Sequence, residues 1–147
     1  MGDLSKHFSS WEAACRCGCG TCAPNPEGVA FLEFVRSAAA DSAVKVTSWH
    51  RCPSYNREVR GTHTSRHLVG DAADIRIEGL SDIETYLLAE QVAKEHAVIL
   101  GLGLYAGRVH IDVGRTRASR WIYCGGTYRK FCTKELRNFL LERKAEP

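Results

Sequence analysis

Between Ser65 and Asp74 the chain reads Ser-Arg-His-Leu-Val-Gly-Asp-Ala-Ala-Asp, which sets His67 and Asp74 seven positions apart with Gly70 between them. A neutral imidazole and a carboxylate are two of the usual ligands of a catalytic zinc ion. The second half of the stretch, Ala72 to Ile77, reads as a buried strand. A carboxylate entering such a strand is costly unless something pairs with it, and a metal ion would do so. Two ligands do not close a site. The candidate third is His110, in Val109-His110-Ile111-Asp112-Val113. Any one histidine is satisfied by ordinary burial and a hydrogen bond, so the spacing carries the metal reading. His7 and His96 read as surface residues, His50 is open, and His63 lies beside the proposed site.

The elements that must position these groups follow from the chain in order. Ser9 and Glu12 form a capping-box pattern for a short helix. Asn25-Pro26-Glu27 opens a longer helix to about Ala40, with Val29, Leu32, Phe34, Val35 and Ala38 on one side. Val44 to Ser48 alternates as a half-buried strand. Trp49 to Thr64 is a polar connection carrying a short helical turn. After the strand at Ala72, Ser81 and Glu84 cap a helix to about His96, with Ile83, Leu87, Leu88 and Val92 inward. Leu102 to Tyr105 and Val109 to Val113 are two strands joined as a hairpin at Ala106-Gly107. Trp121 to Tyr123 is a last short strand, and Thr133 caps a final helix with Leu136, Phe139 and Leu140 inward. The pattern is α+β: helices flanking a small, mostly antiparallel sheet. A single domain over residues 1–147 is expected, with 1–24 as a Cys/Gly-rich segment packed on it.

Composition narrows the function classes. The 147 residues are 44% hydrophobic and 25% charged, the balance of an ordinary globular chain. A formal net charge of +3 is far below that of a dedicated nucleic-acid binder. Arg115, Arg117, Arg120, Arg129 and Lys130 are accordingly read as facing solvent or an anionic surface, and no nucleic-acid partner is expected. No apolar run is long enough to cross a bilayer. Residues 1–14 carry charges and have no unbroken apolar core, unlike an ordinary secretory signal. Seven cysteines, an odd number, point without such a signal to reduced thiols or metal binding.

Ser65-x-His67-x-x-Gly70-x-Ala72-x-Asp74 resembles the zinc motif of the M15 peptidases, the D-alanyl-D-alanine carboxypeptidase group whose fold hedgehog signalling domains share. Gly103-Leu104-Tyr105, then Val109 to Asp112 and Trp121, resemble the second half of that site. Ser48-Trp49-His50-Arg51-Cys52-Pro53-x-x-Asn56 is similar to the family's upstream Ser-x-x-Arg segment, and Phe8 to Cys19 to the opening of its phage and bacterial cell-wall branch. The resemblance spans roughly residues 8 to 122. It implies a hedgehog/DD-peptidase-like fold, zinc held by His67, Asp74 and His110 with water at the open position, and hydrolysis of a peptidoglycan stem peptide. The enzyme would be a D,D-carboxypeptidase or an endopeptidase of endolysin type, expected to be a monomer. It would be made in the cytoplasm and meet the wall after release or within a phage particle. The alternative is a non-catalytic zinc-containing binding or structural module of the same fold.

The family's acidic residue three positions before the last histidine is replaced here by Gly107. Asp112 is the substitute candidate for the general base, because two residues along a strand it shares the face of His110, about 6.6 Å away. Its other reading is an acceptor that orients a ligand histidine. His63 is a further acid/base or substrate-contact candidate. Arg51 matches the family arginine that meets substrate, suited to a carboxylate or a developing oxyanion. Ser65 is read as touching substrate or capping the turn. Cys15, Cys17, Cys19 and Cys22 are open between a second, structural zinc site, disulfides, and thiols packed in a Gly-rich loop.

Overall fold

The structure, a computed structural model, describes residues 1–40, 42–130 and 138–142. Its centre is a six-stranded mixed sheet in the order β1-β2-β4-β3-β5-β6. The strands are β1 (Val44–Ser48), β2 (Ala72–Ile77), β3 (Gly101–Tyr105), β4 (Arg108–Asp112), β5 (Ser119–Cys124) and β6 (Thr127–Lys130). All neighbours are antiparallel except β3 and β5. Period-two alternation divides the central strands into two faces. Ala73, Ile75 and Ile77, with Val109, Ile111, Leu102 and Leu104, join the buried apolar core. Asp74, His110 and Asp112 point the other way. Helices α2 (Pro26–Ala38) and α4 (Asp82–Glu95) cover the apolar face, so the opposite face is left for a site.

Both long helices begin as their sequences dictate. The Asn25 side chain accepts from the Glu27 N–H, with Pro26 in the first turn. Ser81 and Glu84 make a reciprocal capping box. The buried sides differ from those expected. In α2, Phe31 is buried beside Val29, Leu32 and Val35, while Phe34 is partly exposed and stacks on His96 at 3.8 Å between ring centroids. In α4 the buried residues are Thr85, Tyr86, Ala89, Glu90, Val92 and Ala93, with Ile83, Leu87 and Leu88 only partly covered. Ala89 and Ala93 let the helix approach the sheet closely. Glu90 is tolerated there because Arg120 of β5 reaches it, Nε to Oε1 at 3.2 Å.

The short helices α1 (Ser10–Ala13) and α3 (Pro53–Glu58) fall where capping and proline signals place them. The β5–β6 hairpin extends the sheet beyond the expected last strand. Residues 138–142 are helical and bury Leu140. The expected cap Thr133, with Leu136 and Cys132, lies outside the described residues. Among the described residues, no helix is long and apolar enough to cross a membrane.

Candidate metal centre

A single row of paired residues crosses the sheet: Ser48 opposite Asp74, Asp74 opposite His110, His110 opposite Gly103, and Gly103 opposite Trp121. The row exists because the apolar alternation of each strand fixes its register. An irregularity between Val46 and Ser48 brings Ser48 opposite Asp74. Gly103 has to be glycine, since a Cβ there would collide with the Trp121 indole. That close approach lets Trp121 lie against His110, ring centroids 5.3 Å apart.

His67 arrives from outside the sheet on a short 3-10 helix, Arg66–Val69. Ser65 caps that helix, its hydroxyl accepting from the His67 N–H at 3.4 Å. Gly70 ends it in the left-handed region at φ 77°, where a Cβ would strike the Ala23 carbonyl oxygen. The turn so formed delivers the chain into β2 and sets Asp74 beside His67.

The ligand-type atoms of His67, Asp74 and His110 all lie within 4.8 Å of one another. Asp74 Oδ1 faces both rings, 3.4 Å from His67 Nε2 and 3.0 Å from His110 Nδ1. Each histidine has its other nitrogen engaged. His67 Nδ1 donates to the Trp49 carbonyl at 2.6 Å, and His110 Nε2 lies 3.1 Å from Asp112 Oδ2. These bonds fix the tautomers that leave His67 Nε2 and His110 Nδ1 to share a cation with Asp74, as metal-bound histidines are usually held. Asp74 Oδ2 is engaged as well, by Arg51 Nη2 at 2.9 Å and Arg108 Nε at 3.5 Å. The donor set fits a divalent metal ion.

Burial pushes the His67 imidazole down, which favours the neutral form that ligates. Burial alone would raise Asp74, but hydrogen bonds from His110 and His67 outweigh it and hold the carboxyl well below the ordinary range. For His110, burial is outweighed by the Asp112 and then the Asp74 carboxylates, and its pKa is raised.

A family model described as Peptidase M15 matches residues 6–112. The chain belongs to the M15 peptidases. No curated protein matches it. All three converging side chains of this M15 peptidase lie inside the matched span, whereas Arg115 and Trp121 lie beyond it.

The other residues singled out in the sequence fall at graded distances from this M15 centre. Asp112 is buried, and Arg115 and Arg66 clamp it from the far side, the latter with Nε 3.2 Å from Oδ1. Burial would raise its pKa, but bonds from His110 and Arg115 hold it low. Arg51 Nε donates to Ser48 Oγ at 2.9 Å, and its backbone N–H to the His67 carbonyl. Arg51 thus touches the Asp74 carboxylate itself. His63 is exposed and, unlike its neighbours Thr62, Thr64 and Ser65, does not line the cleft. His50 is a structural pin: Nδ1 accepts from the Ala23 N–H at 2.8 Å, and Nε2 faces the Leu68 carbonyl.

A cleft of about 450 Å³ opens over the M15 centre. Its walls include Arg51, Arg60, Arg66, Arg108, Arg115 and Lys130, and its carboxylates are Asp74 and Asp112. Tyr105 closes one side, accepting from Trp121 Nε1 at 3.1 Å and carrying the Arg108 guanidinium 4.4 Å from its ring centroid. Sequence reasoning missed Arg66 and Arg108 as site residues, and placed Tyr105 in the site motif without a role. For Arg108 a signal existed: two residues before His110 on a strand, it shares that residue's face.

Proposed function

We propose that this chain is a zinc-dependent peptidase that hydrolyses a peptide bond in the stem peptides of bacterial peptidoglycan, as a D,D-carboxypeptidase or an endopeptidase. The observation that carries the zinc reading is the convergence of His67 Nε2, Asp74 Oδ1 and His110 Nδ1, each ligand backed by a partner on its far side. Three protein ligands of this N/N/O type are those of a catalytic rather than a structural zinc site. Zinc bound there supplies an activated water and polarises the scissile carbonyl.

The chain's own residues do the rest. The Trp49 carbonyl and the Asp112 carboxylate hold the two imidazoles in the ligating tautomer. Arg51 and Arg108 neutralise the outer oxygen of Asp74. Of the two readings of Asp112, the geometry favours orientation over proton abstraction, because a carboxylate clamped by two guanidiniums and held low in pKa is a weak base at neutral pH. The arginines of the cleft offer pairing for substrate carboxylates, abundant in stem peptides. Ser65 and the segment from Gly61 border the same cleft, which His63 does not line.

A non-catalytic zinc module is the second reading, favoured by one observation. Gly107 is a turn residue whose N–H donates to Asp82 Oδ2 at 2.7 Å and whose carbonyl accepts from Arg76, so no acid stands there. Digestion of purified peptidoglycan by zinc-loaded protein, with mass analysis of the fragments, decides between them. New peptide termini that vanish with His67→Ala support the peptidase and name the bond. Intact stem peptides in the presence of stoichiometric zinc would sink it and leave the module.

A further inference from the structure

Outside the cleft, the structure gathers a second set of metal-binding side chains that the peptidase reading does not use. The thiols of Cys15, Cys17, Cys19 and Cys52 all lie within 4.8 Å of one another. We propose that these four cysteines bind a structural zinc ion, distinct from the His67–Asp74–His110 centre, which ties the N-terminal segment to the loop that carries Arg51.

The sulfur spacing carries the argument. Cys15 Sγ is 3.4 Å from Cys17 Sγ, and Cys17 Sγ is 3.6 Å from Cys52 Sγ. A tetrahedral zinc site with Zn–S near 2.3 Å puts its sulfurs about 3.8 Å apart. Disulfide sulfurs sit at about 2.05 Å, and every described cysteine is a free thiol. Cys22, the fourth member that the sequence pattern offered, is not in the group. Its thiol donates to the Ser10 carbonyl at 3.3 Å, while Cys52, from the start of α3, takes the fourth corner.

The surroundings are those of held thiolates. The Cys52 N–H donates to Cys15 Sγ at 3.3 Å, and the Tyr55 N–H to Cys52 Sγ at 3.4 Å. Such N–H···S bonds orient a ligand and stabilise its charge. The loop is itself fixed, the Cys15 N–H donating to the Thr21 carbonyl and the Gly18 N–H to the Cys15 carbonyl. Arg16 does not compete for the cluster, since its guanidinium reaches away to the carbonyls of Glu12, Val46 and Thr47. A dication at their centre would ionise all four thiols. Four protein ligands leave no open position, which makes the site structural rather than catalytic.

The test is metal content, which does not depend on what the cleft hydrolyses. Protein purified under reducing conditions with zinc is measured by native mass spectrometry and elemental analysis. About two zinc ions per chain are expected, falling to about one in Cys19→Ser and also to about one in His67→Ala. Cobalt loaded into the His67→Ala protein should show intense sulfur-to-cobalt charge-transfer absorption, retained in part by Cys19→His and weakened further in Cys19→Ser, which lacks a fourth strong ligand. Cys19 is exposed, so its replacement does not disturb the core. Zinc content unchanged by Cys19→Ser, no sulfur–cobalt band, or disulfides within the cluster in freshly reduced protein would each overturn the proposal.

Discussion

At His110 a proton and a metal ion compete for one nitrogen. Asp112 and Asp74 raise the imidazole above its ordinary value of 6.5 in the metal-free protein. Below the raised value the ring is an imidazolium and cannot ligate. Apparent zinc affinity should therefore fall as pH drops through that value, beginning above 6.5 rather than at it. Zinc affinity measured calorimetrically across pH should begin to fall above 6.5; a fall confined to lower pH would contradict the raised pKa. Asp112 can be tested at the same scale. As an orienting group, Asp112→Asn should weaken zinc binding about 10–100-fold, with activity restored at saturating zinc. Activity lost with zinc still saturating would return Asp112 to proton transfer. Asp74 and His110 were legible in the sequence because each is a polar residue inside an apolar strand, and His67 through its spacing from Asp74. Arg66 was not, because nothing in a lone arginine separates a carboxylate partner from a solvated surface residue.

Elements position the centre through close backbone contacts as much as through their own strength. The turn at Gly70 is the clearest case, with its left-handed φ and the Ala23 carbonyl in the place of a side chain. Gly70→Ala should cost about 1–2 kcal/mol from backbone conformation alone, and more from the clash. Urea unfolding measures it; a change within about 0.5 kcal/mol, the range of an innocuous surface substitution, would refute this account of the turn. Strands β1 to β4 could be read in advance, because their alternation separates the core from the site face. The buried arc of α4 could not. Choosing its largest apolar residues selects Leu87 and Leu88, whereas the sheet chose Ala89 and Ala93 for closeness and Arg120 made Glu90 acceptable. β6 was missed although Gly125-Gly126 is a hairpin signal, since its four exposed residues offer no apolar pattern.

For the molecule as a whole, an α+β reading followed from the order of elements, but not the parallel pairing of β3 with β5, which depends on how the segment after β4 returns. That pairing brings Trp121 over the centre and leaves Arg115 on the wall of the cleft. The wall has a consequence that reaches well beyond contact distance. Six cationic side chains border an opening whose two carboxylates are already engaged. The unbalanced potential extends outward by about a Debye length, roughly 8 Å at physiological ionic strength. It should bias the diffusion of acidic peptides before they dock. Encounter rather than turnover would then be the salt-sensitive step: for a peptide with free carboxylates, kcat/KM should fall several-fold, roughly, as salt rises from low to physiological strength, with kcat little changed. An amidated version of the same peptide should show a flatter response. Equal salt dependence for both peptides would mean that the basic wall holds the substrate without drawing it in.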